Sequence, residues 1–216
     1  MSLASANLVI TNLMPTARLT GQERRAAIID SAIQLFSEKG FRGVTTRELA
    51  SAIGVSEPVL YQHFPSKRDL YNAIIESIAE QSAHPCGDGQ LPNCGAGLDD
   101  REFLGGVADA IIRWHEKNPA FVRLFIFSAL EGHELGDMFF DRHSSGFLQE
   151  LADYIRSRVD AGVFRPVEPK ISAYHFIALC VHYGIGQALA HKPAYNPPRD
   201  QVLSTVVDLF LKGVQA

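Results

Sequence analysis

The sequence predicts an all-α protein: a three-helix head containing a helix-turn-helix, a connecting helix and a C-terminal helical bundle, about nine helices in total. Three observations carry this prediction. Helix-start signals recur at Thr20, Thr45, Ser56 and Ser66, each a residue type that satisfies the free amides of a helix N-terminus. Long apolar-periodic segments divided by Gly and Pro run from about residue 102 onward. No alternating strand pattern competes with them.

The first helix is expected over about Gln22–Lys39, with Ile29, Ile33 and Phe36 on one face, a Thr20/Glu23 capping box before it and Gly40 after it. Thr45 and Glu48 repeat the box ahead of a short helix, about Arg47–Ile53, which ends at Gly54. Glycine there takes positive φ and turns the chain sharply. Ser56 is expected to cap a third helix, about Glu57–Phe64, with Pro58 tolerated in its first turn. Ser66 and Asp69 open a fourth, about Lys67–Gln81. The tight Gly54-Val55 connection makes the second and third helices a helix-turn-helix, held together by Leu49, Ile53, Val55 and Leu60.

In such a pair the second helix enters the DNA major groove with its N-terminal residues against base edges. Those residues are Glu57, Pro58, Tyr61, Gln62 and His63, and Ser56 at the helix start is also expected at the DNA. Gln62 can bond an adenine edge bidentately, and Glu57 can accept from cytosine N4. Thr45, Thr46, Arg47, Tyr61, His63 and Lys67 suit phosphate oxygens.

Composition fits this asymmetrically. The net charge of −4 looks wrong for a nucleic-acid partner, but residues 17–71 hold eight Lys/Arg against six Asp/Glu, and residues 72–216 hold twelve against eighteen. A mildly basic head on an acidic body favours one orientation of approach to DNA. Three cysteines do not form a disulfide framework, which favours a reducing cytoplasm. No apolar run reaches the roughly 18 residues of a membrane span, and no membrane partner is expected. Residues 1–17, uncharged as far as Thr16, are expected to be a flexible tail rather than a signal peptide.

The stretch Ile28–Leu70 resembles the DNA-binding head of the tetracycline-repressor (TetR) family. The resemblance rests on Leu35-Phe36 before Gly40-Phe41, Thr45-Thr46, Ile53-Gly54-Val55-Ser56, Leu60-Tyr61-Gln62-His63-Phe64 and Ser66-Lys67. It implies phosphate contacts by Tyr61 and Lys67, and a homodimer formed through the last two helices. The chain departs from many members at Glu57-Pro58-Val59, where a small or basic residue and a glycine are common.

Residues 18–66 are read as the DNA-binding domain, 67–83 as the connecting helix, 84–98 as a flexible loop and 99–216 as a ligand-binding and dimerisation domain. The loop carries Cys86 and Cys94 with His84 and Asp88, but its cysteine spacing is not a zinc spacing, so no metal is expected. Body helices are expected from about Glu102 to Asn118, Pro119 to Glu131, Asp137 to Ala161, Lys170 to His191 and Arg199 to Lys212. The last two are apolar over much of their surface, which calls for cover on more than one side. Gly184 and Gly186 allow close helix approach, and a two-fold four-helix interface would supply the cover.

Trp114, Phe121, Phe125, Phe139, His143, His175 and Tyr183 are candidates to line a pocket for an apolar or aromatic effector. Arg113, Arg123 and Arg142 are candidates to meet an anionic one. No H-E-x-x-H, nucleophile elbow, phosphate-binding loop or dinucleotide fingerprint occurs, so neither catalysis nor a cofactor is expected. The expectation is a sequence-specific DNA-binding transcriptional regulator, a repressor released from a palindromic operator by a small molecule. The alternative is a DNA-bound protein whose body recruits a protein partner without such a switch.

Overall fold

The computed structural model describes residues 20–81, 99–132, 145–190 and 196–216. The expected tail at 1–17, the loop at 84–98 with both its cysteines, and Phe139, Arg142 and His143 lie outside the described residues. Nine helices are found among those described: α1 Gly21–Lys39, α2 Thr46–Ile53, α3 Glu57–His63, α4 Lys67–Gln81, α5 Asp100–Lys117, α6 Pro119–Leu130, α7 Ser145–Asp160, α8 Pro169–Leu189 and α9 Arg199–Val214.

Local chemistry sets the head's boundaries. Thr20 Oγ1 accepts from the Glu23 amide at 3.2 Å while the Glu23 carboxylate accepts from the Thr20 amide at 2.8 Å. Thr45 and Glu48 repeat the exchange at 3.1 and 2.8 Å. At α4, Ser66 Oγ accepts from the Asp69 amide and donates to its carboxylate. Gly54 has φ 73° and ψ 31°, and its amide donates back to Ala50 and Ser51. A Cβ there would meet nothing within 4 Å, so the left-handed backbone alone calls for glycine.

Ser56 departs from its expected capping role: it precedes α3, but its hydroxyl makes no cap hydrogen bond. Pro58 has no amide hydrogen to donate, and the Val59 amide is taken by the Ser56 carbonyl at 3.0 Å. The hydroxyl stays exposed.

Among the described residues, two buried clusters hold the elements together. One contains Ile28, Phe36, Leu49, Leu60, Phe64, Tyr71 and Ile74 of the head and runs without a break into Trp114 of α5 and Phe121, Val122 and Leu124 of α6. The other joins α5, α7, α8 and α9 through Leu104, Ile112, Phe147, Leu151, Phe176 and Phe210. The rings of Phe176 and Phe210 meet edge to face at 4.9 Å.

Polar staples fix the rim of the body. Arg158 pairs with Asp100 at 2.8 Å, and Arg101 with Asp208 at 2.5 Å. Arg199 clamps both Asp109 and Glu116 of α5. An antiparallel bridge between Phe164 and Gln215, with the Arg165 amide donating to the Val214 carbonyl at 2.8 Å, ties down the C-terminal residues.

Helices α8 and α9, both read as apolar all round, behave differently. Helix α9 turns Val202, Val207, Phe210, Leu211 and Val214 inward and leaves Leu209 as its exposed large apolar residue. Helix α8 presents an outward stripe of Ile171, Tyr174, Leu179 and Leu189, 45–57% exposed. Gly184 does allow a close approach, but within the protomer: a Cβ on it would stand 2.6 Å from His115 Cβ. Gly186 is open to solvent.

Candidate nucleic-acid interface

Leu49 and Leu60 are buried where α2 meets α3, with Ile53 and Val55 half-buried beside them. That packing fixes which side of α3 is free. Pro58 and Gln62 are exposed, Tyr61 is 45% exposed, and Glu57 and His63 are half-buried. Ser56 and Thr45 are exposed at the helix starts, and Thr46 is half-buried. Tyr61 Oη lies 3.5 Å from Thr46 Oγ1, so hydroxyls from α3 and the start of α2 stand side by side. Thr46, Tyr61, Ser66 and Lys67 line one notch where α2, α3 and α4 converge.

The cations divide into engaged and free. Arg25 stacks over the Phe64 ring at 5.0 Å. Lys39 pairs with Glu48 at 3.2 Å. Glu48 accepts from the Thr45 amide and from Lys39, which together pull its carboxyl down to about 2. Arg47 is exposed and forms no ion pair among the described residues.

Lys67, expected at a phosphate, is turned inward in this structure. Its ammonium donates to the Val44 carbonyl at 2.6 Å and the Phe41 carbonyl at 3.4 Å, 4.5 Å from the Phe41 ring centre. Burial lowers its pKa, against the fields of Glu131 and Glu48. To reach a phosphate the side chain must first leave these carbonyls.

The candidate pocket residues do not form one set. Trp114 and Phe121 are buried, with rings edge to face at 5.5 Å, and the half-buried Phe125 ring lies 6.4 Å beyond. Tyr183 is half-buried against the second cluster. His175 does not line the interior. The phase of α8 that turns Ala173, Phe176 and Cys180 inward puts His175 on the exposed face, its ring nitrogen 2.8 Å from the Ile171 carbonyl. Arg113 is 55% exposed and paired with Asp109.

Sequence reasoning missed His115, which sits beside Trp114 and under Gly184. Its Nδ1 lies 2.8 Å from the Ile111 carbonyl, and burial lowers its pKa. Because a carbonyl can only accept, Nδ1 carries the hydrogen and Nε2 is left as an acceptor. Glycine at 184, on the same helix face as buried Cys180 four residues earlier, was the signal that another side chain enters there.

A short helix packed at a glycine turn against an exposed second helix, flanked by hydroxyls and helix starts, defines a helix-turn-helix DNA-binding protein. Residues 28–74 match the family model for bacterial regulatory proteins of the tetR family, and residues 107–213 match the C-terminal domain of the AefR-like transcriptional repressors. The nucleoid occlusion factor SlmA of Vibrio campbellii is 32% identical over 162 residues, 69% of this chain and 76% of that protein. The HTH-type transcriptional regulator YvkB of Bacillus subtilis is 26% identical over 196 residues, 88% of this chain and 96% of that one. The solved structure of AibR with isovaleryl coenzyme A and operator DNA superposes with a TM-score of 0.64 at 21% identity, covering 87% of this chain and 97% of the other. The chain belongs to the tetR family of DNA-binding transcriptional regulators.

Proposed function

We propose that this regulator is a homodimeric repressor that binds a palindromic operator and is released when a small apolar or aromatic molecule enters the body. The exposed side of α3, where Gln62, Tyr61 and Pro58 face outward, carries the DNA half of the reading. Gln62 reads a base edge, and Glu57 and Pro58 shape readout at the start of α3. Ser56, Thr45, Thr46, Arg47, Tyr61 and His63 hold phosphates, joined by Lys67 once its ammonium leaves the turn. The AefR-like match over the body supports repression. AibR, whose structure is a complex with isovaleryl coenzyme A and operator DNA, supports a body that takes a ligand. The Trp114–Phe121–Phe125 row is where such a molecule meets aromatic walls. The protein acts by binding, not by catalysis.

The test is selection of purified protein on random-library DNA, followed by titration of the enriched sequences at two salt concentrations. Enrichment of a palindrome with a steep salt slope is the expected outcome, and release by apolar compounds then identifies the effector class. Weak binding to all sequences alike would overturn the reading.

A second reading draws on the likeness to a protein named for nucleoid occlusion: a DNA-bound protein whose body recruits a protein partner. Operator complexes that resist every apolar compound but are joined by a protein partner would favour it.

A further inference from the structure

Helix α6 ends against the turn between α1 and α2. The Glu131 carboxylate accepts from the Arg42 backbone amide, 3.2 Å to Oε2 and 3.4 Å to Oε1, and Arg42 Nη2 donates to the Glu131 carbonyl at 3.1 Å. The approach depends on Gly40, which has φ 73°. A Cβ there would run into Glu131 Oε1 and lie 3.4 Å from Phe127 Cδ1. The same turn supplies the Phe41 and Val44 carbonyls that hold Lys67, and it ends at Thr45, the cap of α2. One short segment therefore touches the body, the lysine at the start of α4 and the first residue of the helix-turn-helix.

The first half of α6 carries Phe121 and, at mid-helix, Phe125, and the helix runs unbroken from them to Leu130, with Glu131 as its C-cap. The apolar contact between α1 and α6 is broad but non-directional, so by itself it permits sliding. The hydrogen bonds to Arg42 fix register, because an amide and a carboxylate meet only over a narrow range of distance and angle.

We propose that Glu131 is the positioning residue through which α6 sets the angle of the DNA-binding head, and hence the separation of the two recognition helices in the dimer. The inference rests on the operator-binding reading above and adds to it the route by which the body addresses the head. Displacement of α6 by a molecule at its aromatic end moves Glu131, and the turn follows. Glu131 itself touches no DNA.

The experiment titrates wild type, Glu131→Ala and Glu131→Gln on the selected palindrome and on versions with half-sites one base pair closer or further apart. Thermal melts are recorded alongside. Wild type is expected to prefer its own spacing, and Glu131→Ala to lose about fivefold or more of that preference as the heads swivel. Glu131→Gln, which keeps an oxygen for the Arg42 amide, is expected to retain most of it. An unchanged preference in Glu131→Ala overturns the proposal, as does a loss on every spacing alike that tracks a fall in Tm. A wild type that selects no palindrome overturns the operator reading itself, and this inference with it.

Discussion

The Gln62 and Tyr61 side chains, neighbours on α3, are assigned different work, and substitution separates them. Gln62→Ala should cost about 1–3 kcal/mol at one operator base pair and little elsewhere, whereas Tyr61→Phe should weaken all sequences alike. Titration on single-base operator variants checks both. An equal loss for Gln62→Ala on operator and random DNA sinks its base-reading role. Glu48 makes a pH prediction. Its folded pKa, about 2, lies below the ordinary value of 4.5. Its stabilising effect is therefore complete above the ordinary value and lost as pH falls toward the folded one. The Tm gap between wild type and Glu48→Gln should close between about pH 4.5 and 2, and a gap constant across that window removes Glu48 as the cause. The capping half of this arrangement was legible in the sequence because Thr45 and Glu48 are three residues apart on one turn. Lys39–Glu48 and Arg42–Glu131 were not, because packing alone brings those pairs together.

At the scale of the element, periodicity located every described helix, and Gly and Pro marked most ends. It did not reveal which apolar faces stay uncovered. Helices α8 and α9 read alike in sequence, yet α9 spends its apolar face inside the protomer while α8 keeps Ile171, Tyr174 and Leu179 outside. The difference comes from neighbours: α8 packs inward on both α5 and α7 through Ala173, Phe176 and Cys180, and among the described residues its outer face stays exposed. His175 was misread for the same reason, since an aromatic-rich helix does not announce its inner side. Gly184 offers an element-scale test. Gly184→Ala should destabilise by about 1–3 kcal/mol through overpacking of α8 on α5, seen as a Tm several degrees lower. His115→Ala should not relieve it, because the nearest obstacle is His115 Cβ. Full relief in the double variant would show that the imidazole ring, not helix separation, sets the limit.

At the scale of the whole molecule, the exposed apolar stripe of α8 is the face we propose for the dimer contact. A charge placed there enters a two-fold interface twice. Leu179→Glu should weaken self-association at least about tenfold, or ~1.4 kcal/mol. Sedimentation equilibrium should show protomers, and binding to the full palindrome should fall toward that of a half-site. A Leu179→Glu protein that stays dimeric places the interface elsewhere.

The buried cluster that runs from Ile28 through Tyr71 into Trp114 and Phe121 means that head and body do not have separate interiors. This bears on how such proteins are recombined. A graft that exchanges operator preference by cutting after α4, at the Gly/Pro-rich stretch that looks like a natural seam, leaves α1 facing a foreign α6 with mismatched side chains. Chimeras joined after Glu131, carrying α5 and α6 with the head, keep that shared interior together except for Ile185 and Ala188 of α8. The inheritable module for DNA preference is therefore longer than the matched head, and it includes the first two helices of the body.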